Sequence, residues 1–259
     1  MTKSDLLRPF LSVIIPAFNE SRRLAPGLKQ LREYFERRGL RVEVIVVDDG
    51  SSDDTADVAA AFDPGPMSLL VLRNRINRGK GYSVRRGIRR ARGDVLLMAD
   101  ADQSTPIWEI EKFLPLLAGD YDVVIGSRDV AESHITEAQS IVRRLLGWLL
   151  RRLRGAIMLK DISDTQCGFK AFTRKAGKEI FSRVRTERFA FDCEVLLLAR
   201  KLGYRVREVG VVWCNDADSR VHAVRDPIEM LISLIKIRWR LRHVGQAAGV
   251  TEVPRESQA

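Results

Sequence analysis

The stretch 95-VLLMADADQSTP-106 runs four apolar residues into Asp100-Ala101-Asp102 and then a polar turn closed by proline. Two readings fit it. Asp residues often end strands because their short side chains suit turns. Two carboxylates on alternate positions at the C-terminal edge of a parallel sheet can also hold a divalent cation through hard oxygen ligands.

Working outward, LSVIIP (11–16) and VEVIVVDDG (42–50) read as strands buried on both faces, rich in β-branched residues. Between them Leu24, Leu28, Leu31 and Phe35 recur at helical spacing, and Gly39 ends that helix. Ser51-Ser52-Asp53-Asp54 supplies N-cap candidates for a helix over 54–62. The pattern then predicts strand 68–72, helix 80–91, strand 94–99, helix 106–118, strand 121–126 and, further on, strand 205–213. Such alternation implies right-handed crossovers and a doubly wound, mostly parallel α/β sheet. Ligands of these sheets bind outside the carboxyl ends of the strands. Asp48-Asp49, Asp100-Asp102 and Gly126-Ser127-Arg128 therefore fall on one rim. PAFNE (16–20) stands where a nicotinamide-binding fold would carry GxGxxG, and no GxxxxGK[ST] occurs.

The chain has 259 residues, 45% of them hydrophobic, enough for one domain over 1–243 with a flexible tail at 244–259. Lysines and arginines number 44 against 34 acids, and the net charge of +10 points to an anionic partner. Cys167, Cys193 and Cys214 are odd in number and widely spaced, which argues against disulfides or a zinc site and for a reducing cytosol. No signal-peptide pattern and no run of about 18 apolar residues stands out. The expectation is a cytoplasmic protein that lies on a membrane face without crossing it.

VIIPAFNE (13–20), VVDDGSSDDT (46–55), NRGKGYSVRRG (77–87), DADQSTP (100–106) and GSR (126–128) resemble, in order, the GT-A glycosyltransferases of family 2. DTQCGFKAFTR (164–174) and FAFDCEVL (189–196) narrow the resemblance to the dolichyl- and polyprenyl-phosphate β-glucosyltransferase branch. It implies a GT-A, Rossmann-like fold, a sugar-nucleotide donor, Mg²⁺ or Mn²⁺, and transfer with inversion. It also implies roles. Pro16, Ala17, Asn19 and Glu20 would line the base and ribose pocket, and Asp49 or its neighbour Asp48 would accept the uracil N–H. Lys80 would approach the nucleotide. Asp100 and Asp102, around Ala101, would hold the metal against the diphosphate, with Gln103 touching the donor. Arg128 would sit beside the phosphates. Asp192 would act at the reacting centre, as a base or by orienting basic side chains or the donor sugar. Ser219 and Arg220 would close over the phosphates.

Two amphipathic segments bear on the acceptor. In 141-IVRRLLGWLLRRLR-154 a Leu/Trp face opposes Arg143, Arg144, Arg151 and Arg154, a pattern suited to phosphate head groups on an anionic bilayer. The segment 228-IEMLISLIKIRWRLRH-243 is more apolar, with Lys236, Arg240 and His243 on one line. Both also suit packing on the sheet or a homo-oligomer contact. The expected reaction is transfer of glucose from UDP-glucose to a polyprenyl or dolichyl phosphate. A small phosphorylated acceptor and a GDP-mannose donor are the alternatives. No nucleic-acid module is present to make DNA or RNA the anionic partner.

Overall fold

In this computed structural model residues 8–130, 134–135, 162–214 and 225–243 are described. The strands are β1 (Leu11–Ala17), β2 (Val42–Asp48), β3 (Ser68–Arg73), β4 (Val95–Met98), β5 (Val123–Ser127), β6 (His134–Ile135), β7 (Lys170–Thr173), β8 (Val206–Gly210) and β9 (Val212–Trp213). Seven of them form one sheet in the order β3-β2-β1-β4-β7-β5-β8. All pairs are parallel except those of β7, which runs antiparallel to both β4 and β5. The expected strand over 205–213 is two elements. Val211 is buried between them, its N–H bonded to the Ser127 carbonyl, and β9 leaves the main sheet to pair with β6.

Alternation along the strands feeds two cores. Val13, Ile15, Val44, Val46, Leu97 and Val124 face one, while Ile14, Ile45, Val47, Leu96, Met98 and Ile125 face the other. The first core is closed by α1 (Ser21–Arg38), through Leu24, Leu28, Leu31 and Phe35, and by α2 (Thr55–Ala61). A 3₁₀ turn at Ile107–Glu109 then leads into α4 (Ile110–Ala118), which completes the cover with Phe113. Gly39 ends α1 at φ 60°, a left-handed cap that a residue without Cβ adopts freely. The second core is closed by α3 (Lys80–Arg90), α5 (Arg174–Arg183), α6 (Phe191–Lys201) and α7 (Arg225–Arg240). Helices on both faces of a mostly parallel sheet make the doubly wound fold that the sequence pattern predicts.

Helix α7 is only partly a surface element. Leu234 and Ile237, with Leu241 beyond its end, enter the second core, whereas Ile232, Ile235 and Trp239 face outward. Arg240, on one line with Lys236 in the sequence pattern, turns its guanidinium inward to the fully buried Glu194. Among the described residues no helix is long and apolar enough to cross a membrane.

An ion pair between half-buried Arg128 and fully buried Asp164 ties the end of β5 to the segment entering β7. Arg128 Nε lies 2.6 Å from Asp164 Oδ2 and Nη2 lies 3.0 Å from Oδ1, a two-pronged contact. Glu208 of β8 accepts from the Asp164 N–H at 2.7 Å and the Ser163 N–H at 3.0 Å. Burial alone would raise the Asp164 pKa, but the Arg128 charge and hydrogen bonds outweigh it and hold it at about 2. A carboxyl depressed on folding contributes stability at neutral pH that is lost as pH falls from about 4 toward 2. Asp164→Asn is therefore expected to destabilise the protein by about 2–3 kcal/mol at pH 7. Urea titrations across pH 7 to 3 check this, and the gap between wild type and variant should narrow only below about pH 4.

Candidate functional site

From β1 the chain continues to β2 on one side, while β4 lies on the other, so a topological switch point falls between β1 and β4. The loops after these strands border the crevice where such sheets hold ligands. The two acidic clusters and Arg128 all leave strand C-termini on this rim, as expected from their places in the sequence.

The first loop is locked to the second. Asn19, at φ 55°, accepts from the Ser52 N–H at 2.9 Å, and its own N–H donates to Ser51 Oγ at 2.9 Å. The Glu20 N–H donates to Thr55 Oγ1 at 2.7 Å, and the Glu20 carboxylate grips Arg23 with two contacts of 2.7 Å. Asp53 fastens the same junction. Burial opposes its charge, but bonds from Thr55 and Ser21 prevail and lower its pKa to about 2. Pro16 and Ala17 complete the loop base, with the Ala17 carbonyl taking the Asp49 N–H at 2.8 Å.

Asp48 and Asp49 are both buried. Asp49 Oδ1 accepts Asn74 Nδ2 at 2.7 Å and the Arg78 N–H at 3.1 Å, and Oδ2 accepts the Gly79 N–H at 2.6 Å. A carboxylate offers about four acceptor positions, so one stays open for a ligand donor. Asp48 turns back to the Ser51 N–H at 3.3 Å. Asp49 thus sets the loop that delivers Lys80. Gly79 has φ 102°, and a Cβ there would meet the Glu187 carbonyl at 2.6 Å. Only glycine fits that approach.

Lys80 crosses to the second acidic cluster, its Nζ 2.5 Å from Asp100 Oδ1. Asp100 lies flat against Gly168, where a Cβ would come within 1.8 Å of Oδ2. Burial works against both charges. The Lys80 ammonium, then Lys170 and Arg128, nevertheless hold the Asp100 pKa below its ordinary value. Asp100, Asp192 and Asp102 in turn raise that of Lys80. Asp102 Oδ1 accepts the Ser104 N–H at 2.9 Å, and Oδ2 stands 4.0 Å from Arg23 Nη1. Beneath these, Lys170 Nζ donates to Asp192 Oδ1 at 2.6 Å and to the Cys167 carbonyl at 2.5 Å, both side chains buried. Asp192 is therefore paired with a buried cation here. Arg128, held by Asp164, also lies over the Trp213 ring at 5.4 Å.

Gln103 sits at φ 51°; its Nε2 donates to the Asp100 carbonyl at 3.0 Å, and its Oε1 is buried without a hydrogen-bond partner. Two rim carboxylates and an orphaned amide oxygen nearby are a hard-oxygen set that fits Mg²⁺ or Mn²⁺, which use one or two carboxylates plus phosphate and water. Among the described residues no three acidic, His or Cys side chains could hold a metal by themselves. Donor phosphates would complete such a shell. Arg143, Ser219, Arg220 and the helix at 141–154 lie outside the described residues.

Sequence reasoning passed over Arg23, Asp164, Gly168, Lys170 and the inward bond of Arg240. Gly168 and Lys170 stand inside the DTQCGFK motif, which was legible as a motif without a role for either residue.

The family model of glycosyl transferase family 2 matches residues 12–181. The chain is 35% identical over 250 residues to the dolichyl-phosphate β-glucosyltransferase of Dictyostelium discoideum, covering 92% of this chain and 76% of that protein. Against the human dolichyl-phosphate β-glucosyltransferase it is 36% identical over 243 residues, 89% of this chain and 75% of the relative. Among solved structures, a glucosyl-3-phosphoglycerate synthase from Mycobacterium tuberculosis, in complex with Mn²⁺, UDP and phosphoglyceric acid, superposes with a TM-score of 0.66. It shares 20% identity, covers 92% of this chain and 80% of that one, and so shows the GT-A fold alone. This chain belongs to glycosyl transferase family 2, on its dolichyl-phosphate β-glucosyltransferase branch.

Proposed function

We propose that the protein is an inverting, metal-dependent hexosyltransferase that moves glucose from UDP-glucose to a dolichyl or polyprenyl phosphate on the cytoplasmic face of a membrane. The observation that carries the reading is the crowding of Lys80, Asp100, Asp102, Lys170, Asp192 and Arg128 around one switch-point crevice. The relatives named for that reaction supply the substrate class. In the proposed step an acceptor phosphate oxygen forms a bond to the anomeric carbon as the bond from that carbon to the UDP phosphate breaks on the opposite face. A phosphomonoester has its second pKa near 6 and is largely ionised at neutral pH, so no strong base is needed. Asp192 then serves by holding Lys170 and the donor sugar in place. Arg128 and Lys80 supply positive charge where the phosphates lie, and Asp49 offers its remaining acceptor position to the uracil N–H. A bound Mg²⁺ or Mn²⁺ would neutralise the leaving diphosphate. Asp100 and Asp102 are the residues to hold it, with Gln103 Oε1 at their side.

The outward face of α7 supports the membrane part of the reading. Ile232, Ile235 and Trp239 follow helical spacing and stay exposed, with Lys236, Arg238 and Arg242 exposed beside them. An apolar stripe with a basic border is the composition of a helix that lies in the head-group region of an anionic bilayer.

Three outcomes are expected. Asp100→Asn and Asp102→Asn each lower transfer by about 10²-fold or more while thermal melting stays near wild type, since electrostatic stabilisation of a leaving group is lost and no core contact is. Full activity in either variant, or in excess EDTA, would remove the metal from the reaction. Calorimetry with Mn²⁺ is expected to show UDP binding more tightly than GDP, because a site built to one base's hydrogen bonds rejects the other; the reverse order makes GDP-mannose the donor. Finally, Ile235→Ser combined with Trp239→Ser should release the protein from anionic vesicles in flotation while leaving UDP binding intact. Unchanged flotation would assign α7 to another contact.

A further inference from the structure

Lys80 does more than approach a nucleotide. Its ammonium lies 2.5 Å from Asp100 Oδ1, and the carboxylate itself lies against Gly168, with Oδ2 the nearer oxygen. Oδ1 is the oxygen farther from Gly168, and a lysine already holds it. An ammonium at that distance keeps a divalent ion off the same oxygen by both charge and volume. The backbone beneath cannot carry the lysine away. The Gly79 N–H is bound by Asp49, a Cβ at Gly79 would strike the Glu187 carbonyl, and one at Gly81 would meet the Thr186 carbonyl at 2.5 Å. Only the flexible four-carbon stem of Lys80 can swing. The ion pair with Asp100 biases it toward staying.

We propose that Lys80 is the resident cation of the Asp100–Asp102 site, displaced when a divalent metal enters, so that metal and donor diphosphate load together. The diphosphate supplies the anionic partner to which the displaced ammonium moves, while the metal takes Asp100. The metal alone must displace the lysine without a phosphate to receive it, so it binds weakly. The diphosphate alone must draw the lysine off a carboxylate left unpaired. Each therefore tightens the other by the same factor, as linkage requires. The inference rests on the metal-dependent reading above and concerns binding only.

The experiment is a Mn²⁺ titration of the full chain followed by electron paramagnetic resonance of the free ion, with and without UDP. It compares wild type, Lys80→Met and Lys80→Gln after thermal melting has shown all three folded. Without nucleotide, both variants should bind Mn²⁺ about tenfold more tightly than wild type. The factor by which UDP tightens Mn²⁺ should fall by about the same amount. Mn²⁺ affinity equal to or weaker than wild type in the variants overturns the proposal. So does a glutamine variant that behaves as wild type, because then a hydrogen bond and not a charge guards Asp100. Absence of Mn²⁺ binding in all three proteins, even with UDP, overturns the metal-dependent reading itself.

Discussion

The close approach of Asp100 to Gly168 is the constraint on which the rim depends. A carboxylate at the end of β4 lies on a backbone that has no side chain, and a single methyl group there would overlap it. That contact exists because β7, entering antiparallel between β4 and β5, carries the 164–169 segment across the mouth of the crevice. The same segment brings Asp164 to Arg128, and the first residue of β7 brings Lys170 to Asp192. One short inserted strand and the segment before it thus place two ion pairs and one glycine beside the Asp100 and Asp102 carboxylates. Phe169 anchors it from below, edge-on to Phe113 of α4 with ring centres 5.3 Å apart.

Charge is arranged so that few buried groups stand alone. Burying a charge costs several kcal/mol unless a partner and further hydrogen bonds offset it. Lys170 meets that condition through Asp192 and the Cys167 carbonyl, and Glu194 meets it through Arg240 and the N–H groups of Arg185 and Thr186. Such pairs are weak evidence for stability but hold geometry. Here they hold the 185–191 segment, against which Gly79 and Gly81 are packed. The loop that carries Lys80 is therefore braced on one side by Asp49 and on the other by a segment that Glu194 fixes. The basic excess of the chain is thereby divided. Lys80, Arg128 and Lys170 belong to the site, Arg240 belongs to the scaffold, and Lys236, Arg238 and Arg242 face solvent.

Much of this was determined by the sequence alone. Apolar β-branched runs with helical periodicity between them dictate a doubly wound sheet, because only helices on both faces cover strands that are apolar on both sides. In that topology charged residues at strand ends must share a rim, which brings Asp48, Asp49, Asp100, Asp102 and Arg128 together. Local chemistry was equally legible: Gly39 ends a helix because its left-handed conformation disfavours a side chain. Tertiary structure decided which partner each charge takes. The antiparallel β7 has a buried lysine in place of an apolar run, so its pattern does not read as a core strand. Lys170 is separated from Asp192 by 22 residues, Asp164 from Arg128 by 36 and Arg240 from Glu194 by 46. Periodicity is a property of neighbours along the chain, whereas an ion pair is chosen by desolvation and distance in the folded state. For that reason the sequence could name the rim, and only the fold could show that a lysine holds Asp100 Oδ1.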